Sequence, residues 1–216
     1  MNIEQARFNM IEQQIRPWDV LDQGVLGLLA VVRREDFVPA AHRSLAFMDI
    51  ELPLPEGENM LAPRVEARLL QELQVQRHER VLEIGAGSGF MAALLGHRAQ
   101  SVVSLEIKEA LVRFATDNLR RAGVSNVTVV KADGVHGHAA EAPFDAILLS
   151  GSVARVPAEL LAQLKPGGRL VAIEGDDPIM SVVRYTQGPE GVMCTPLVEI
   201  NAKRLVGFPD TPRFHF

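Results

Sequence analysis

The chain has 216 residues, 47% hydrophobic and 23% charged, which is enough apolar material for a packed core and a single domain over residues 1–216. A net charge of −5 excludes the basic surface of a nucleic-acid binder. One cysteine, Cys194, excludes a disulfide framework, and no apolar run approaches the roughly 20 residues that span a bilayer, so a soluble cytoplasmic protein with no membrane partner is expected.

The N-terminal third reads as helical. "IEQARFNMIEQQI" repeats its apolar residues at helical spacing and Pro17 stops it. "DVLDQGVLGLLAVVRRED" is a second helix with Asp19 as its N-cap. From Phe37 to Asn59 the chain shows little periodicity, which predicts a long irregular segment with short strands. "PRVEARLLQEL" returns to helix, with Pro63 in its first turn.

After residue 78 the pattern changes. "RVLEIGA", "SVVSLEI", "VTVVKAD", "FDAILLSG" and "GRLVAIEG" are short apolar strands. "GFMAALLGHRA", "EALVRFATDNLRRAG" and "PAELLAQL" are helices between them. This alternation predicts an α/β fold, a Rossmann-like, doubly wound, mostly parallel sheet, with residues 79–216 as its core and 1–78 as a helical, substrate-side extension. "SVVRYTQGPEGVMCTPLVEI" reads as an edge hairpin turning at "QGPEG", and "GFPDTPRFHF" as a terminal extension.

The chemistry concentrates in "EIGAGSGF", between the first strand of the core and a helix. Gly85, Gly87 and Gly89 allow a tight turn and bring bare backbone against a ligand, with helix N–H groups behind. The loop lacks the third glycine of a dinucleotide fingerprint, because Phe90 stands there, and it lacks the Lys of a P-loop. Glu83 would repel a pyrophosphate and suits a cation. Glu106, about 20 residues on, closes the second strand, where a carboxylate can bind a ribose diol. Asp133 closes the third strand before Gly134 and can accept from an adenine amine. An ammonium group, a ribose and an adenine without phosphate describe S-adenosyl-L-methionine, with S-adenosyl-L-homocysteine as product. No metal is expected, since His136 and His138 alone lack ligand spacing.

"VLEIGAGSGF", "LEI", "ADG", "FDAILLS" and "LLAQLKPGGRLV" resemble class I S-adenosylmethionine-dependent methyltransferases. "MIEQQIRPWDVLDQGVLGLLAVVRREDFVP" and "AFMDIELPLPEGENMLAP" resemble, more narrowly, the protein-L-isoaspartate (D-aspartate) O-methyltransferase family. The resemblance runs from about Met10 to Val171. It implies methyl transfer to the side-chain carboxylate of an isomerised aspartyl residue in a damaged protein or peptide. It implies that Gly85 and Gly87 contact the methionine end of the cofactor, Glu106 the ribose, and Asp133 with Gly134 the adenine. It places Asp49 on a segment bordering the substrate peptide.

One departure stands out. The family's Thr-Ile-Ser-Gln-Pro run is "NMLAP" here, so Asn59 replaces the Thr, Leu61 the active-site Ser and Ala62 the Gln. Leu61 offers no hydrogen bond. A carboxylate acceptor is already anionic at neutral pH and needs no general base, so the rate rests on alignment. Losing one hydrogen bond, at about 0.5–3 kcal/mol, slows transfer without removing it. Three readings follow: isoaspartyl repair with a modified pocket, methylation of another acceptor such as a small-molecule hydroxyl or carboxyl, and a non-catalytic cofactor-binding protein. Ser150, after the fourth strand, is a further substrate-side candidate.

Overall fold

The computed structural model describes residues 2–210. Helix α1, Ile3–Asn9, is N-capped by Asn2 and runs on as a π-helical turn to Ile15. A 3-10 turn, Arg16–Trp18, then ends at Asp19, which takes the left-handed conformation. Asp19 therefore does not cap the second helix. Helix α2, Gln23–Val31, is capped three residues later, where the Asp22 carboxylate accepts from Val25 N–H at 2.9 Å. The irregular stretch holds 3-10 turns and a two-stranded antiparallel ribbon, β1 (Leu52–Pro53) with β2 (Asn59–Met60). Helix α3, Pro63–Leu73, begins on its proline, and its buried side, including Val65, Leu69 and Leu73, recurs every four residues.

The core sheet comprises β3 (Arg80–Ile84), β4 (Ser101–Glu106), β5 (Val127–Lys131), β6 (Phe144–Val153), β7 (Leu164–Asp176), β8 (Ile179–Gly188) and β9 (Gly191–Glu199). Between them run α4 (Phe90–Arg98), α5 (Glu109–Arg121) and α6 (Ala158–Leu161). The order is β5-β4-β3-β6-β7-β8-β9, parallel from β5 to β7 and antiparallel for the edge hairpin β8–β9. The expected parallel core and edge hairpin are both present. Two bounds differ. The eight-residue helix expected at Pro157 is one turn, because β7 starts early at Leu164. Strand β5 ends at Lys131, so Asp133 lies beyond it and N-caps a 3-10 turn through Val135 N–H at 3.1 Å.

Strand alternation splits the core in two. Val81, Val102, Leu148 and Val171 face the layer built by the N-terminal helices, α3 and α4. Leu82, Val103, Leu149 and Leu170 face the opposite layer. Both faces are thus covered, as a parallel sheet requires. The order in which strands are added reverses at β3, whose neighbours β4 and β6 lead away to opposite edges. A cleft lies there, lined by residues at and beyond the ends of β3 and β4 and by Ser150 and Gly151 of β6.

No described helix is long and apolar enough to cross a membrane.

Candidate active site

The glycine loop rises from β3 over the end of β4. Gly85 and Ala86 N–H groups donate to Leu105 O at 2.9 and 3.1 Å, which folds the loop back onto the sheet. Gly85 has φ +94°, which favours bare backbone, and a β-carbon there would also press on Leu205 Cδ2 at 2.8 Å. From below, Asn118 on α5 donates to Ser88 O at 2.8 Å and holds the loop's far side.

Glu106 supports the same loop. One carboxylate oxygen accepts from Gly87 N–H and the other from Lys108 N–H, both at 3.0 Å. Each oxygen keeps a free lone pair, and the residue lines the cleft. Glu83 lies deeper and is 0% exposed. Its two oxygens accept from Ser104 Oγ at 2.6 Å and Ser150 Oγ at 2.8 Å. Burial pushes its carboxyl up to about 7, against the pull of those two hydroxyls, and the charge of Glu106 adds to the rise.

The cleft opens to solvent and has Gly85, Gly87, Glu106, Gly134 and Ser150 among its walls. Asn59 and Leu61 face them from the other side. Leu61 is 6% exposed and also borders a smaller cavity with Leu54, Met91, Glu83 and Ser150. Asn59 donates to Glu51 at 2.9 Å, so its amide is turned towards the residue before β1. Six residues of the sequence-derived set therefore converge with Leu61 on one space: Asn59, Gly85, Gly87, Glu106, Gly134 and Ser150. Two do not line it. Asp133 turns to Val135 and lies against Gly207, leaving Ala132 and Gly134 as the wall there. Asp49 pairs with Arg64 at 2.8 Å, and that guanidinium stacks over Trp18 at 4.1 Å.

The sequence reading missed the roof. Residues 203–208 run across the cleft mouth, tied to β6 by Ser152 N–H to Lys203 O at 2.9 Å and Leu205 N–H to Ser152 O at 2.8 Å. Leu205 lies on the bare backbone of Gly85 and Gly151. Glu58 joins three segments, pairing with Lys108 at 2.5 Å and Lys203 at 3.2 Å. Burial works to raise the Glu58 carboxyl, but the two lysines outweigh it and the net direction is down. Lys203 also donates to Gly57 O. No local periodicity marks this tail, and its partners lie about 50 to 150 residues away. Of the extension expected at "GFPDTPRFHF", Phe208 is buried, and residues 211–216 lie outside the described residues.

The donor set suits S-adenosylmethionine. Three carboxylates, Glu58, Glu83 and Glu106, stand in or beside the cleft, and its lysines are paired, so no phosphate is invited. The bare glycine backbone at 85 and 87 faces the side chains of Leu205 and Leu54.

Comparison with known proteins points the same way. The family model described as "Protein-L-isoaspartate(D-aspartate) O-methyltransferase (PCMT)" matches residues 5–194. A protein-L-isoaspartate O-methyltransferase 1 from Syntrophobacter fumaroxidans is 38% identical over 207 residues, covering 96% of this chain and 97% of the relative. A protein-L-isoaspartate O-methyltransferase from Methanoculleus marisnigri is 38% identical over 201 residues, covering 93% and 91%. Among solved structures, a protein-L-isoaspartate O-methyltransferase superposes with a TM-score of 0.78 at 23% identity, covering 95% of this chain and 66% of the other. A Plasmodium falciparum structure described as a beta-aspartate methyltransferase (PCMT) in complex with S-adenosyl-L-homocysteine gives 0.75 at 20% identity, covering 94% and 97%. At these identities the two structures speak for the fold.

Proposed function

We propose that this chain, which belongs to the protein-L-isoaspartate (D-aspartate) O-methyltransferase family and is an S-adenosylmethionine-dependent O-methyltransferase, methylates the side-chain carboxylate of isoaspartyl residues in damaged proteins or peptides. One observation carries the reading: Asn59 and Leu61, on the segment that the family resemblance assigns to the acceptor side, line the same cleft as the glycine loop and Glu106. In this reading the chain works in the cytoplasm as one domain, with residues 1–78 as the acceptor side and 79–216 as the cofactor side.

When bound, S-adenosylmethionine supplies an electrophilic methyl on a sulfonium. Gly85, Gly87 and Glu106 would hold it, with Gly134 against the adenine and Asp133 at that rim. The chain's own residues then position and desolvate. Glu83 sets a negative charge beneath the loop, and Ser150 holds one of its oxygens. Leu61, Leu54 and Leu205 exclude water from the reacting centre. The acceptor carboxylate arrives ionised, so no side chain has to remove a proton.

Transfer of labelled methyl to a synthetic isoaspartyl peptide, beside the normal aspartyl peptide and a no-peptide control, tests the reading. Base-labile label on the isoaspartyl peptide alone is expected. Binding of S-adenosylhomocysteine with transfer to neither peptide would instead favour the second reading, a different small-molecule acceptor. Leu61 and Ala62 support that alternative, because they make the acceptor wall less polar than the family's.

Glu83 predicts a pH signature. A carboxyl whose folded value lies above its unfolded one stabilises the fold while protonated, so its contribution is full below the unfolded value of about 4.5 and lost above about 7. Without cofactor, stability attributable to Glu83 should fall across that window, and E83Q should remove that part of the slope in thermal melts. The cationic cofactor favours the ionised carboxylate. Its affinity relative to neutral S-adenosylhomocysteine should rise by up to about tenfold from pH 6 to pH 8, read by calorimetry. A flat ratio would remove Glu83 from cation recognition.

Lys203→Ala should speed cofactor release by less than about tenfold, since a partly exposed ion pair contributes 1 kcal/mol or less. Stopped-flow displacement of a fluorescent cofactor analogue would read the change.

A further inference from the structure

The "REDFVP" signature, Arg34 to Pro39, takes no part in the transfer chemistry just described. Arg34 is nevertheless 1% exposed and among the largest fully buried side chains among the described residues. Burying a guanidinium costs several kcal/mol even when it is paired, and an apolar side chain of similar volume fills such a space more readily. What Arg34 holds is therefore informative.

Its three nitrogens reach three different segments. Nη2 donates to Leu61 O at 2.7 Å, on the acceptor wall. Nε donates to Ala46 O at 3.0 Å, three residues before Asp49. Nη1 pairs with Glu66, in the first turn of α3, the helix that follows the acceptor segment. The guanidinium also lies 5.1 Å from the ring centre of Phe90, the first residue of α4 after the glycine loop. Phe37, from the same signature, meets Phe90 edge-on at 5.4 Å. Glu35 is tied to Arg7 of α1 at 2.6 Å, which fixes the turn that carries Arg34. One planar, rigid group thus spans from the backbone of Leu61 to the foot of the cofactor loop. A lysine could not reproduce that geometry, because it offers a single point of charge on a flexible stem.

We propose that Arg34 is a positioning residue: it sets the Leu61 backbone, and with it the acceptor wall, at a fixed distance from the glycine loop. This rests on the reading that residues 59–62 face the methyl acceptor. Since Leu61 has no side-chain polar group, backbone placement is the means left to this segment for aligning an acceptor. Misplacement by about 1 Å can slow a transfer about 100-fold.

The test replaces the buried pair with apolar groups of similar volume in R34M/E66M, a change that often preserves stability, and carries R34K beside it. Four quantities are read with the full chain: thermal stability, S-adenosylhomocysteine affinity, amide hydrogen exchange at residues 59–62 and 85–89, and methyl transfer. The expected result is a folded protein with unchanged product affinity and faster exchange at 59–62 but not at 85–89. Transfer kcat should fall about 10- to 100-fold. Unchanged exchange at 59–62, or wild-type kcat in a folded variant, would overturn the proposal. So would failure of both variants to fold, which would make Arg34 a folding residue only. If the wild-type chain leaves isoaspartyl peptides unmethylated, the repair reading fails by itself, and the exchange pattern still decides the role of Arg34.

Discussion

Alanine at Glu106 is expected to weaken S-adenosylhomocysteine binding by about 10²- to 10⁴-fold while leaving the chain folded. Two backbone donors, Gly87 N–H and Lys108 N–H, use this carboxylate at 3.0 Å each. Each oxygen also keeps a lone pair for a ribose hydroxyl of the ligand, and two such hydrogen bonds to a charged group, at about 1.5–3 kcal/mol apiece, give the stated range. The loss falls on the cofactor loop and not on the core, because Glu106 is the last residue of β4 and the strand pairing beneath it does not involve its side chain. E106Q keeps one acceptor oxygen and should lie between wild type and alanine. Calorimetric titration with the product, beside a thermal melt, reads both quantities. Near-wild-type affinity in a folded E106A protein would show that the glycine loop holds the ligand without this carboxylate.

Leu61→Ser is expected to raise kcat/KM towards an isoaspartyl peptide by about 10- to 100-fold, the range that one recovered hydrogen bond to a charged partner supplies. It should also lower the melting temperature. Leu61 is buried against Leu54 and Met91, and truncating a buried Leu to a small residue costs about 2–5 kcal/mol. Activity and stability should therefore move in opposite directions, which separates a chemical gain from a general improvement in folding. A destabilised variant with no gain in transfer would mean that the pocket is shaped for a different acceptor, and the small-molecule reading would take precedence.

Much of this was legible in the chain itself. The parallel core follows from short apolar strands alternating with helices, and the cleft from glycines, Glu106 and Gly134 at the ends of successive strands. Both signals are local, since strand periodicity and loop chemistry are set within ten residues or so. The departure at Leu61 is equally local. Helix caps were harder: Asp19 and Asp22 are equivalent on paper, and the left-handed turn at Asp19 decides between them.

Tertiary structure alone decided the rest. Arg34 reads as one more charged residue beside Arg33 and Glu35, until packing buries it against Leu61 and Glu66, 27 and 32 positions on. Lys203 reads as a solvated tail residue until it meets Glu58 across the cleft. Position alone does not give the partners of Asp133 and Asp49, which the fold sets as a 3-10 turn for one and Arg64 for the other. Periodicity reports which face of an element is apolar. It carries no information on which distant polar group will satisfy a buried charge, because that depends on how the layers close around it.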